Sequence, residues 1–340
     1  MSRFAARRGV NVWGWLRSKR GSAEPRTTFD SDDFRFIKDR GFDHVRLPAT
    51  EETLWDDNGR RIPDAWRRLD AALDWSEEAG LRAIFDLHIL RTHFFNAEHK
   101  PLFTDPDAPA QFGRLWEQLS EAMRHRSHDQ VAYELMNEPV AENPEDWNRV
   151  YRFAYDAVRS REPERTIVLG GNRWSNVYSL KHLRVPGNDP HVLITFHFYD
   201  PMPVTHYRAG FTPIGKAYDG PVRYPGVPLP QEEFDRLPPE AQELFRDSMR
   251  HYDASVLEEE VLEAVAVRDG TGLPIYCGEF GAIANAPADV RRRWARDIRG
   301  VLEKHDIGWC AWMYKSGGES SFALFEEDGT PTPVCEALLE

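Results

Sequence analysis

Short β-prone apolar runs alternate with amphipathic stretches from one end of this chain to the other, and few folds accept that order. The runs fall at residues 9–13, 42–47, 82–87, 131–135, 166–169, 192–196, 275–277 and 308–312. Most are nearly continuous in apolar residues, as strands covered on both faces must be. Helical stripes lie between them. Ser31-Asp32-Asp33 caps a predicted helix reaching about residue 40, and residues 63–79 place Trp66, Leu69 and Leu73 on one face, with Gly80 closing the helix. Trp147, Val150, Phe153, Ala154 and Ala157 recur at helical spacing over 144–161. So do Val256, Leu257, Val261, Leu262 and Val265, and then Val290, Trp294, Ile298, Val301 and Leu302.

Eight strands separated by helices predict a single-domain (β/α)8 barrel spanning residues 1–340. A doubly wound open sheet would need a glycine-rich phosphate loop after the first strand, and neither GxGxxG nor GxxxxGK[ST] is present. One connection stands out. After the sixth strand a Pro-, Gly- and Tyr-rich insertion covers about residues 197–250 and carries Tyr207, Phe211, Tyr218 and Tyr224. Loops on that rim build substrate clefts, so it is expected to form a cleft wall.

Charge narrows the partners. Lys and Arg number 43 against 56 Asp and Glu, a formal net charge of −13. A nucleic-acid or anionic-membrane surface needs a basic face, so neither partner is expected. A neutral oligo- or polysaccharide is compatible. The three cysteines, Cys277, Cys310 and Cys335, are too few for a disulfide framework and read as core thiols. With no apolar run of membrane-spanning length and no signal-peptide pattern at the start, the chain as written reads as cytoplasmic, or as secreted if a leader has been removed. Oligomeric state is not legible.

In a barrel of this type the chemistry sits at the C-terminal strand ends. Those ends carry Asn11, Arg46, Asp86, His88, Glu134, Asn137, Glu138, His197, Tyr199, Glu279, Trp312 and Tyr314. Glu138 follows strand four and Glu279 ends strand seven, which places two carboxyl groups across one cleft. Glycoside hydrolysis needs such a pair, about 5–5.5 Å apart when configuration is retained. Arg46 is expected to keep Glu279 ionised, with help from Tyr199, while the nearby Glu279 charge raises the pKa of Glu138. Asn137 can hydrogen-bond a sugar 2-hydroxyl. His88 and His197 can bind sugar hydroxyls or orient Glu138. Trp312 and, after strand five, Trp174 offer flat faces for a pyranose ring. Glu134 and Asp86, deeper in their strands, read as structural hydrogen-bonding groups below the cleft.

The ordered series Arg46-Leu-Pro, Asp86-Leu-His, Leu135-Met-Asn-Glu-Pro, Phe196-His-Phe-Tyr, Cys277-Gly-Glu-Phe-Gly and Cys310-Ala-Trp-Met-Tyr resembles family 5 of the glycoside hydrolases, the cellulase-like barrels of clan A. The resemblance implies Glu138 as acid/base and Glu279 as nucleophile. Arg46, His88, Asn137, His197, Tyr199 and Trp312 then form the surrounding shell, with no cofactor and no metal. It implies an endo-acting β-1,4-glucanase. The alternatives are a β-mannanase, a xyloglucanase, another β-glucosidase-type hydrolase, and a catalytically silent carbohydrate-binding barrel. The chain departs from the family pattern after strand three, where His88 is followed by Ile-Leu-Arg-Thr-His93 and, further on, His99. Those three histidines match no compact zinc spacing.

Overall fold

The computed structural model describes residues 4–18, 24–187, 189–315 and 321–340. Eight strands, β1 (Arg8–Asn11), β2 (His44–Thr50), β3 (Arg82–Ile89), β4 (Val131–Glu134), β5 (Ile167–Gly170), β6 (Val192–Phe198), β7 (Ile275–Phe280) and β8 (Gly308–Ala311), pair in sequence order. All pairs are parallel, and β1 meets β8, which closes the barrel. Outside it lie α1 (Ser31–Asp39), α2 (Pro63–Glu78), α3 (Ala108–Met123), α4 (Pro144–Arg159), α5 (Ala254–Thr271), α6 (Ala288–Lys304) and α7 (Pro333–Leu339). A 3-10 segment, Val177–His182, stands between β5 and β6, where the other crossovers carry long helices.

Strand alternation sorts the side chains into two layers. On β3, Phe85 and Leu87 point out to the helices, while Ile84, Asp86 and His88 point in. On β4, Tyr133 points out and Ala132 and Glu134 point in. The lower interior is closed by Phe4, Ile84, Ala132, Val168, Leu193, Tyr276 and Cys310. Gly9 is required at that level, because a Cβ there would sit 2.2 Å from the His44 ring. Above this apolar plug the inward positions turn polar, which is how the same alternation that builds the core also loads the mouth with charge.

Strand β7 breaks the alternation. Its register against β8 shifts between Cys277 and Phe280, and β6 shifts against β7 at Phe196/His197. Tyr276 faces the interior and Phe280 packs outward against Trp294 and Trp309, so the irregularity lets Glu279 point inward. Gly278 fits because a Cβ would meet Thr195 Oγ1 at 2.6 Å.

Several local expectations need correction. The cap of α1 is Asp30, whose side chain accepts from Asp32 and Asp33 N–H, rather than the Ser-Asp-Asp that follows. Helix α3 was absent from the sequence reading. Phe153 and Leu262, read as stripe residues, are 44% and 43% exposed, beyond the edges of their buried faces. Tyr314 faces away from the cleft and donates to Asp33 Oδ1. The three cysteines are buried and unbonded to one another, as expected. Among the described residues no helix is long and apolar enough to cross a membrane.

The insertion between β6 and α5 holds short helices at Met202–Thr205, Pro213–Ala217, Gln231–Arg236 and Pro239–Phe245. Tyr207, Ala209, Tyr218, Val222, Leu229 and Phe245 form its own small core, and Ile283, Ala286 and Phe322 from the loops after β7 and β8 join them. Tyr199 and Trp312 pack against that cluster. Of the four aromatics singled out in the sequence, Tyr207, Tyr218 and Tyr224 are buried, and Phe211 alone of the four is exposed, at 53%. The insertion is thus a packed abutment to the rim.

Candidate active site

Arg46 is the hub. Fully buried on β2, its guanidinium meets Glu134 through Nε at 2.7 Å and Nη2 at 2.9 Å. Nη1 donates to Glu279 Oε1 at 2.7 Å and to Asn11 Oδ1 at 2.9 Å. Nη2 also reaches Asn137 Oδ1 at 2.8 Å and Asp86 Oδ2 at 2.9 Å. Only a planar, permanently charged fork can divide itself among so many acceptors in fixed geometry. Glu134 and Asp86 therefore do the structural work expected of them, by holding the arginine that holds Glu279.

Glu279 also accepts from the Tyr199 hydroxyl, at 3.1 Å on Oε2. Glu138 Oε1 lies 2.9 Å from His197 Nδ1, and the same nitrogen is 3.7 Å from Glu279 Oε2. Carboxyl oxygens of Glu138 and Glu279 come within 4.8 Å of each other. His88 Nδ1 pairs with Asp86 Oδ2 at 2.7 Å, and its ring lies nearly parallel to Trp312, 5.6 Å between centroids. Trp13 closes on both rings, at 4.7 Å from His88 and 5.4 Å from Trp312. The Trp312–Met313 peptide bond is cis.

Asn137 Nδ2 and His197 Nε2 are buried and have no partner. An unmatched buried polar atom is costly; the Asn137 amide nitrogen is a free donor on a side chain held by Arg46, whereas His197 Nε2 faces Gly278 on the Thr195 side of the interior.

The electrostatics correct one expectation. Burial raises the pKa of Glu279 despite the opposing Arg46 charge, because that charge is shared with Asp86 and Glu134. Glu138 is pushed well above the ordinary carboxyl range, by burial first and by the Glu279 charge second. Glu138 is thus the preferred site for a proton and Glu279 the preferred site for the negative charge. Burial likewise lifts Asp86 and Glu134 to about 7. It drives His88 down to about 3 and His197 well below the imidazole range, so both histidines are neutral.

Of the nine residues expected at the site, eight converge here: Glu138, Glu279, Arg46, His88, Asn137, His197, Tyr199 and Trp312. Trp174 stands apart from the ring group, on the turn whose backbone N–H reaches Pro139 O next to Glu138. Its indole is 43% exposed on the turn after β5 and makes none of the ring contacts of the Trp13–His88–Trp312 group. The sequence reading missed Trp13 as a cleft residue, although its position just past β1 gave the signal. His88, His93 and His99 do not converge on one point. His93 is buried and accepts from Val140 N–H, whereas His99 is exposed.

A parallel barrel whose mouth brings two buried carboxyl groups together beside unpartnered polar donors is the architecture of a glycoside hydrolase. The chain belongs to the cellulase family, glycosyl hydrolase family 5, whose sequence profile matches residues 8–318. It is 31% identical over 329 residues to endoglucanase C of Acetivibrio thermocellus, covering 95% of this chain and 94% of that one. It is 28% identical over 304 residues to cellodextrinase A of Ruminococcus flavefaciens, covering 88% and 83%. A solved hyperthermophilic endo-β-1,4-glucanase in complex with substrate superposes with a TM-score of 0.77 over 97% of this chain and 96% of that one, at 20% identity.

Proposed function

We propose that the protein hydrolyses internal β-1,4 bonds of a glucan with retention of configuration, Glu279 acting as nucleophile and Glu138 as acid/base. The observation that carries this reading is the approach of the two carboxyl groups to within 4.8 Å. That nearest-oxygen approach supports the ~5–5.5 Å spacing of a retaining pair over the ~6.5–9.5 Å of an inverting one. In the first step a Glu279 oxygen bonds to the anomeric carbon as the glycosidic bond breaks, and the Glu138 proton passes to the departing oxygen. In the second, Glu138, now a carboxylate, takes a proton from water while that water's oxygen displaces Glu279.

Supporting groups have definite tasks. Asn137 Nδ2, unpartnered and buried, donates to the sugar 2-hydroxyl, a contact that strengthens in the oxocarbenium-like transition state. Arg46 and Tyr199 hold Glu279 through both oxygens and so fix the line of attack. Trp312, backed by His88, presents an apolar face to the ring at the cleavage point. The glucan assignment is supported by the endoglucanase C relative, which matches over nearly both full lengths.

The test is a panel of soluble β-1,4-glucan, β-mannan, xyloglucan, xylan and aryl β-glycosides, with proton NMR following the first anomer released. The β-anomer should appear first, with β-glucan the preferred polymer and its viscosity falling faster than reducing ends accumulate. Initial release of the α-anomer overturns retention. Preference for mannan or xyloglucan reassigns the substrate, and no turnover on any member leaves a binding barrel.

A further inference from the structure

Glu138 lies four residues past the end of β4, on a stretch from Leu135 to Asn143 that belongs to neither a strand nor a helix. Among the described residues its carboxyl hydrogen-bonds to one side chain, His197. An acid that must meet a departing oxygen within a fraction of an ångström cannot sit on a free loop. The backbone polar groups of such a stretch must find partners outside the barrel ladder, and their partners here are specific. Ser175 Oγ donates to Asn137 O at 2.8 Å, and Trp174 N–H donates to Pro139 O at 3.2 Å. Val140 N–H donates to His93 Nε2 at 3.2 Å. Asn172 grips Ala141 from both sides, accepting its N–H at 2.8 Å and donating to its carbonyl at 3.0 Å.

Four of these five bonds come from Asn172–Ser175, and that turn is strained. Arg173, Trp174 and Ser175 all have positive φ, at 54°, 60° and 51°, in consecutive non-glycine residues. Each such residue is strained, and the conformation persists only where its surroundings demand it. The demand here is the Glu138 segment. Gly170 and Gly171, just before it, are glycines because a Cβ would meet Ser175 Oγ at 2.5 Å and Ser179 Oγ at 2.6 Å. On the opposite side His93 is buried and packed edge-on against Phe103. Because its Nε2 accepts, the ring is neutral with its proton on Nδ1, and burial, which drives its pKa to about 3, keeps it so at any working pH.

We propose that Asn172, Ser175 and His93 are positioning residues for the general acid: they clamp residues 137–141 so that the Glu138 proton is aimed at the departing oxygen. This rests on the reading of Glu138 as acid/base. It assigns a use to the His93 loop, where the chain departs from the family pattern, and to the left-handed turn after β5.

The test compares kcat/KM, which reports the bond-breaking step, across aryl β-cellobiosides of graded leaving-group acidity. The variants are Ser175→Ala, Asn172→Asp, His93→Phe and His93→Gln, each with its melting temperature measured. A misaimed acid matters most for poor leaving groups. Ser175→Ala and His93→Phe should lose ~10- to 100-fold on phenyl cellobioside and less than about threefold on the dinitrophenyl compound. His93→Gln keeps an acceptor for Val140 N–H and should recover most of the loss. Asn172→Asp keeps the acceptor for Ala141 N–H, loses the donor, and should fall between. Equal losses on all leaving groups, or no loss in folded variants, overturns the proposal. Failure of the wild-type protein to cleave any aryl glycoside would instead sink the functional reading beneath it.

Discussion

The two carboxyl groups of this cleft are held by opposite means. Glu279 belongs to strand β7 and is gripped through its side chain, by Arg46 on one oxygen and Tyr199 on the other. Glu138 belongs to an irregular segment whose backbone is gripped by the turn after β5 and by His93, with His197 on its carboxyl. Under the roles proposed for them, the difference follows from the two tasks. A nucleophile must stay charged and in line, so donors and a cation belong on its oxygens. An acid must keep a proton until the transition state, so cations near its oxygens would defeat it, and the frame has to be built from the main chain.

The contrast is broken most severely by removing each carboxyl in turn. Glu279→Gln should lose at least ~10⁴-fold in kcat/KM on every substrate, because no covalent intermediate can form. Glu138→Ala should lose ~10²–10⁴-fold on polymer but far less on dinitrophenyl cellobioside, where added azide should restore turnover as a β-glycosyl azide. Uniform loss in both variants would erase the distinction.

The next largest effect is expected from Arg46→Lys, which keeps the charge and loses the fork. Glu134, Asp86, Asn137 and Glu279 cannot all be served by one ammonium, so a loss of ~10²-fold in kcat and a fall in melting temperature should appear together. A variant unchanged in both would contradict the hub role.

The pH profile sharpens the comparison further. With the proposed roles, activity requires Glu279 ionised and Glu138 protonated, so it should fall at low pH through the raised pKa of Glu279 and at high pH through the higher pKa of Glu138. Glu279→Gln removes the largest charge effect that raises Glu138, so the Glu138 titration followed by carbon NMR should move down yet stay above the ordinary carboxyl value, since burial and the Asp86 and Glu134 charges remain. A Glu138 titration indifferent to Glu279 would count against the role assignment. The smallest change is Tyr199→Phe. Loss of one neutral donor should cost about 1 kcal/mol, or roughly fivefold in kcat, and move the acid limb upward, because the charged form of Glu279 has lost a partner.

Legibility in the sequence followed the same division. Parallel strands buried on both faces advertise themselves as apolar runs, and side chains at their ends can be placed on a rim by counting, which is why eight of the expected side chains lie together at the mouth. Helix α3 was hidden by apparent breakers. Pro109 occupies its first turn, where proline is tolerated, and Gly113 is explained only by the Phe153 carbonyl, 3.0 Å from where a Cβ would stand. Phe153 and Leu262 fit a stripe by spacing, but burial depends on how far the neighbouring helix reaches. Alternation counted from Tyr276 would have turned Glu279 outward, and the shift that corrects it leaves no local mark. The clamp on residues 137–141 was invisible for a deeper reason, since each bond joins segments that only the closed barrel brings together.

Among the described residues Arg46 bonds three buried carboxyl groups, Asp86, Glu134 and Glu279, Glu138 stands beside them as a fourth, and neither nearby imidazole is charged. The cleft therefore has an electron-rich lining even when it carries a proton or two. Cleavage places positive charge on the ring oxygen and anomeric carbon of the sugar, in the middle of that lining. Seen this way, Asp86 and Glu134 also set a standing potential that welcomes a short-lived sugar cation. A basic ring-nitrogen sugar mimic, protonated on binding, should be held more tightly than its neutral lactam counterpart.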